Sequence, residues 1–281
     1  MDKNQYLSMY HSAKKAFWDE NPIIGEIPIV LPFMPSFKMF SENDDAVIKE
    51  LYWSEFTGWE LTSLKIWHRL ALAAGKGIIL DIGAYSGIYS LVASVTNPDS
   101  SIMAFDIQQK CLDRLQKNIS INTLENISYK LAACSDRDEV ISFSFREAEG
   151  ILCSVASIVS KEENTTSANV EAIKLDNFLT QTDQMSNVKL IKIDVEDAEV
   201  STLAGLQNTI TTSQPDILIE INNSGNIRKV VGLLPDHYNI YSIDEDRYRI
   251  KRQGMFFKRF ENSRNFLVTA KNIKIVKGLL A

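Results

Sequence analysis

Two short clusters in the chain hold residues whose types and spacing could do chemistry. The first is Asp81-Ile-Gly-Ala-Tyr-Ser-Gly87, a carboxylate just ahead of one glycine with a second glycine beyond it. Gly83 lets the backbone turn sharply and come close to a ligand, so that a branched side chain there would fill ligand space, and Gly87 opens the next segment without a side chain in the way. The second is Asp194-Val-Glu-Asp-Ala-Glu199, which follows Val188-Lys-Leu-Ile-Lys-Ile193. Alternate side chains of a strand share a side, so Asp194 and Glu196 fall together while the chain stays extended. Glu220 and Asn222 repeat that two-residue spacing. Carboxylates at a rim can take the proton of a hydroxyl as it attacks. Asp194 and Glu196 are therefore the candidate catalytic proton acceptors, with Glu220 and Asn222 orienting a substrate. Asp197 and Glu199 suit a helix N-terminus through the macrodipole.

The elements that must carry these groups alternate. Ile78–Ile82, Ser101–Asp106, Ile127–Cys134, Val188–Val195 and Ile217–Asn222 read as strands, the first of them a short apolar run ending in glycine. Gly87–Val95, Gln109–Asn122, Val200–Thr211 and Ile227–Leu234 read as helices. The pattern predicts an α/β fold with a mostly parallel sheet covered on both faces. Three strand-like runs in Asn239–Lys271 predict an antiparallel edge, with a hairpin at about 247–260 whose arms, Tyr248–Arg252 and Phe256–Phe260, flank Gln253-Gly254 and present one basic face. Glu139–Asp176 reads as a β-rich insertion around a polar loop, Lys161–Ser167. The main domain spans 75–281. Residues 1–74 hold Pro22, Pro28, Pro32 and Pro35 and read as an extension, irregular after one short helix. It ends in a helix from Tyr52 to Ala74, which carries Trp59 and Glu60 like a lid.

In an open parallel sheet, ligands bind beyond the carboxyl ends of the strands. The dinucleotide fingerprint G-x-G-x-x-G is not met, because Ala84-Tyr85-Ser86 separate the glycines. The looser spacing suits a cofactor without a pyrophosphate. S-adenosylmethionine, with its ammonium and sulfonium, is favoured by a nearby carboxylate. Asp106 ends the second strand, where such folds place the acid that accepts from ribose hydroxyls.

With these residues in view, the chain resembles the FkbM-type methyltransferases from about Gly77 to Lys271. The resemblance rests on Asp81–Ser90, Ala104-Phe-Asp106, Ala133-Cys-Ser-Asp136 and Lys174-Leu-Asp176. It continues through Ile191-Lys-Ile-Asp-Val-Glu-Asp-Ala-Glu199, Pro215–Glu220 and Asn265-Phe-Leu267. It implies a Rossmann-like class I methyltransferase fold. It implies S-adenosylmethionine held by Glu60, Asp81, Gly83, Ala84, Tyr85, Ser86, Gly87, Asp106, Ile107, Ala133 and Asp194. It also implies O-methylation of a hydroxyl on a sugar, polyketide or similar metabolite. Three positions depart from the family pattern: Asp106-Ile107 replaces Glu-Pro, Tyr85 stands where asparagine is frequent, and Asp197 replaces a glycine.

Composition bounds the rest. The 281 residues carry a formal charge of -6, so no global field favours nucleic acid. Cys111, Cys134 and Cys153 are odd in number and scattered, which argues against a disulfide framework or zinc site and for a reducing, cytoplasmic setting. No apolar run is long enough for a membrane span. His11, His68 and His237 lack metal-ligand partners at i+3 or i+4, so no metal is expected. The expected partner is a hydroxyl-bearing small molecule, and self-association is compatible with the sequence. The competing readings are a methyltransferase acting on nitrogen or a macromolecule, a nicotinamide-dependent oxidoreductase and a cofactor-binding module without catalysis.

Overall fold

Apolar alternation along the strands builds the central layer. Ile79 faces one side of the sheet with Leu190, Leu218, Tyr241 and Leu267. Leu80 and Ile82 face the other with Ile191, Ile193, Ile217 and Ile219. Both faces are buried, as a parallel sheet requires.

The computed structural model describes residues 2–145, 151–153, 166–254 and 263–280. The extension holds helices α1 (Lys3–Leu7) and α2 (His11–Glu20), the antiparallel strands β1 (Ile24–Ile29) and β2 (Phe37–Glu42), and helix α3 (Ala46–Trp53). It is more regular than its prolines imply. Pro22, Pro32 and Pro35 stand outside the strands, and Pro28 lies in a two-stranded sheet in which each strand is an edge. The helix expected from Tyr52 to Ala74 is broken. Glu55, Phe56 and Glu60 take positive φ (52°, 59° and 43°), and α4 runs from Leu61 to Ala73.

Next come β3 (Ile78–Ile82), α5 (Ile88–Thr96), β4 (Ser101–Asp106), α6 (Gln109–Ile121) and β5 (Ile127–Leu131). Then β6 (Ala133–Ser135), β7 (Glu139–Phe145) and β8 (Thr166–Lys174) form a separate sheet in the order β6-β8-β7. Helix α7 (Leu175–Gln181) leads to β9 (Val188–Ile193), α8 (Glu199–Ala204), α9 (Gln207–Ser213), β10 (Asp216–Glu220) and α10 (Ser224–Gly232). The chain closes with β11 (Asn239–Asp244), β12 (Arg249–Arg252), β13 (Asn265–Thr269) and α11 (Ile273–Gly278).

The main sheet has the order β12-β11-β13-β10-β9-β3-β4-β5. From β10 to β5 its pairs are parallel; β13 and β11 form the antiparallel edge. The order reverses between β3 and β9, which makes the crevice at their carboxyl ends the place for a ligand. This is a Rossmann-like class I methyltransferase fold.

Local departures have physical causes. The single helix expected over Val200–Thr211 splits at Gly205, where a Cβ would lie 1.9 Å from the Ser135 carbonyl oxygen. Asp176 is 2% exposed and accepts from the Asn208 and Thr209 amides and the Thr209 hydroxyl, so this carboxylate anchors the start of α9. Strand β12 pairs with β11 through a turn in which Tyr248 has φ 50°, and the arm Phe256–Phe260 lies outside the described residues. Most of the loop Lys161–Ser167 does too. Contrary to the expectation from cysteine count, Cys111 and Cys153 are joined in a disulfide, their Cα atoms 6.5 Å apart; a separation of 42 residues hides the pairing in the sequence. No helix among the described residues is long and apolar enough to cross a membrane.

Candidate functional site

The carboxyl ends of four adjacent strands and the amino end of the antiparallel β13 line up as one row. Asp81 pairs with Lys192 and Ile82 with Ile193, so Gly83 and Asp194 follow at the same level. Ile219 pairs with Ile193, and Glu220 pairs with Asn265 across the antiparallel edge. On the other side, Ile82 pairs with Phe105, which leads to Asp106. The row therefore reads Asp106, Gly83, Asp194, Glu220, Asn265.

The glycine loop is fixed at its base. The Gly83 and Ala84 amides donate to the Phe105 carbonyl at 2.8 and 3.0 Å. Gly83 has φ 81°, and a Cβ on it would meet the Asp194 carbonyl oxygen at 1.8 Å. The position thus demands glycine because the loop is pressed against the backbone of β9's end. Gly87, with φ 92°, caps α5. Tyr85 has φ 52° and donates its amide to Asp106 Oδ2 at 2.9 Å; the Gln108 amide donates to Oδ1 at the same distance. Burial pushes the Asp106 carboxyl up to about 6 against those amide bonds. Ile107 packs on the small apolar cluster of Ala133, which places both beside Asp106.

Asp81 and Ser86 brace the loop from beneath. Asp81 is 1% exposed and accepts from the Ser90 hydroxyl at 2.6 Å, with burial pushing its carboxyl up to about 6. Ser86 is fully buried, and its carbonyl accepts from the Asn118 amide.

Around Asp194 the structure assembles groups that the sequence did not single out. Lys192 is 0% exposed, and its Nζ lies 2.9 Å from Asp194 Oδ2 and 4.8 Å from the centre of the Tyr89 ring. Burial works against the Lys192 ammonium, but Asp194, Glu60 and Glu220 outweigh it and raise its pKa. The Tyr89 hydroxyl donates to Glu60 Oε2 at 2.6 Å. Glu245 accepts from the Thr62 and Ser63 amides, from the Ser63 hydroxyl and from the Asn265 amide. Burial, then Asp194, push Glu220 up to about 8, and Glu220 also hydrogen-bonds Asp194. Burial, then Glu60, push Glu245 up to about 7.

Two sequence expectations shift accordingly. Strand β9 ends at Ile193, and Glu196 lies in the turn before α8, so alternation pairs Asp194 with Lys192 rather than with Glu196. Glu60 caps α4 in a left-handed conformation rather than riding on a longer helix. Asp197, standing where the family pattern has glycine, also takes a positive φ of 64°, which an aspartate tolerates better than most residues. Glu199 is buried against Asn226 and has a structural part. Asn222 follows β10 in the loop before α10. His68 is a packing residue, its ring bonded to Thr96.

The missed residues left faint signals. Lys192 stands between Ile191 and Ile193 in β9, where a buried ammonium demands a partner. Asn265 opens a segment that resembled the family. Glu245 gave no sign, because its site is made by α4, distant in sequence.

Comparison with known proteins identifies the family. The description "Methyltransferase FkbM domain" matches residues 81–250, more than half of the chain. A curated relative, Methyltransferase 1 of Beauveria bassiana (strain ARSEF 2860), is 22% identical over 161 residues, covering 52% of this chain and 65% of its own. Among solved structures, the FkbM methyltransferase of Methylobacillus flagellatus KT aligns with a TM-score of 0.45 at 14% identity, covering 69% of this chain and 43% of its own. An O-methyltransferase from Bacillus cereus in complex with SAH aligns with a TM-score of 0.43 at 13% identity, covering 74% of this chain and 79% of its own. The chain thus spans under two thirds of the length of the first two.

Proposed function

Because the chain belongs to the FkbM methyltransferase family, we propose that it transfers a methyl group from S-adenosylmethionine to a hydroxyl of a small molecule. The observation that carries the reading is the row Asp106, Gly83, Asp194, Glu220 at the sheet's switch point. The residues fit the cofactor. The Asp106 oxygens accept from the Tyr85 and Gln108 amides and keep lone-pair capacity for a ribose hydroxyl. Gly83 offers bare backbone, and the carboxylates beyond it suit a cation. When bound, the cofactor supplies a methyl group on a sulfonium, an electrophilic carbon.

The chain's own residues then have a defined task. Methyl transfer is an in-line displacement: the hydroxyl oxygen forms the new C–O bond, the C–S electron pair leaves with sulfur, and the hydroxyl proton needs an acceptor. Asp194 takes that proton in this reading. It lies between the loop and Glu220, its side chain is 33% exposed, and Lys192 fixes one of its oxygens. Glu220 and Asn222 orient the acceptor.

Asp194→Asn tests the assignment, since the amide is nearly isosteric and cannot take up the proton. Transfer of labelled methyl should fall by about 100- to 10,000-fold while cofactor affinity holds. Loss of cofactor affinity in that variant would make Asp194 a cofactor residue instead.

A further inference from the structure

We propose that the acceptor binds with a protonated amino group beside the hydroxyl that is methylated, held by Glu60, Asp194, Glu220, Glu245 and Asn265; this rests on the methyl-transfer reading above.

Position separates this cluster from the cofactor end of the row. Asn265 lies four strand steps from Asp106, on β13 against β4. At about 4.8 Å per step, the two are roughly 19 Å apart. The loop and Asp106 serve one end; Glu220 and Asn265 belong to the other, with Asp194 between them.

Charge points to a cation. Among the described residues, four carboxyl groups meet a single ammonium, Lys192, which is already bonded to Asp194. A cofactor with one sulfonium, one ammonium and one carboxylate adds a single net positive charge, which leaves negative charge over. Burial and mutual repulsion hold protons on Glu220 and Glu245 in its place, as their raised affinities report.

A second observation points to a ligand with N–H donors. Asn265 is 2% exposed and its Nδ2 is directed to Glu60 and Glu245, yet its Oδ1 has no hydrogen-bond partner among the described residues. Buried acceptors are normally satisfied. An alkylammonium brings three donors and no acceptor, which matches one amide oxygen beside carboxylates. A neutral hydroxyl would bring one donor and leave the carboxylates uncompensated. A metal ion is the poorer match, because no group of three or more His, Cys, Asp or Glu among the described residues is arranged to hold one. When the ammonium enters, the proton held by Glu220 leaves to solvent and an ion pair replaces it.

The test uses the full chain. Calorimetry first establishes saturation with S-adenosylhomocysteine. Methylammonium is then titrated against sodium at constant ionic strength, while carbon-detected NMR follows the side-chain carboxyls of Glu220 and Glu245. The expected result is a saturable shift with methylammonium and none with sodium, weakened about tenfold in Glu220→Gln or Glu245→Gln. No saturable shift in the native chain, or an equal response to sodium, overturns the proposal and leaves the methyl-transfer reading standing. Failure of S-adenosylhomocysteine to bind in the first step overturns that reading, and the amine site falls with it.

Discussion

A Cβ placed on Gly83 would stand 1.8 Å from the Asp194 carbonyl oxygen, so the glycine loop and the end of β9 are pressed backbone to backbone. No real contact is that short. A side chain at Gly83 must part the two strand ends that align Asp106 with Asp194. We expect Gly83→Ala to lower stability by about 1–3 kcal/mol through the left-handed φ and the displaced backbone. Urea denaturation measures it, and an unchanged midpoint would mean that the ends separate freely.

Lys192 is the buried cation that Asp194, Glu60 and Glu220 share. Lys192→Met keeps the length of the side chain and removes the charge. Leaving buried carboxylates without their partner costs about 3–5 kcal/mol. The loss should shrink at low pH, where the acids take up protons. A Lys192→Met chain as stable as the native one at neutral pH would show that the ammonium is not what holds the cluster.

The acid cluster also sets a pH dependence. Glu220 and Glu245 keep their protons up to about 8 and about 7 in the folded chain, against an ordinary value of 4.5. Between those limits the native state binds more protons than the unfolded one. Their contribution is therefore complete below about pH 4.5 and is lost as pH rises through 7 and 8, at up to about 1.4 kcal/mol per pH unit for each proton. Urea midpoints from pH 6 to 9 should fall, and Glu220→Gln should flatten the slope. A rising midpoint would contradict the assigned protonation.

How much of this was legible in sequence follows from how local each feature is. The strands at Ile78–Ile82 and Ser101–Asp106 are apolar runs bounded by glycine or acid, and their ends carried the loop and Asp106 into view. Asp194 was readable because an acid after Ile-Lys-Ile needs a reason to be there. The pairing with Glu196 failed because alternation ends where β9 ends, at Ile193. Lys192, the register partner of Asp81, became visible only when β3 and β9 were laid side by side. Glu245 depends on the amides of Thr62 and Ser63, more than 180 residues away, and no local pattern encodes that meeting. The left-handed residues Glu55, Phe56 and Glu60 broke a helix that periodicity alone would have continued.

In the proposed reading, the Asp106–Gly83 end of the row seats S-adenosylmethionine while Asp194 faces the acceptor. Calorimetric titration with S-adenosylhomocysteine tests it most directly, because no acceptor is needed. One saturable site is expected in the native chain. Asp106→Ala should weaken it by about 1–3 kcal/mol through lost hydrogen bonds to the ribose, and Asp194→Asn should leave it nearly unchanged. No binding by the native chain, or full affinity in a folded Asp106→Ala variant, would contradict it.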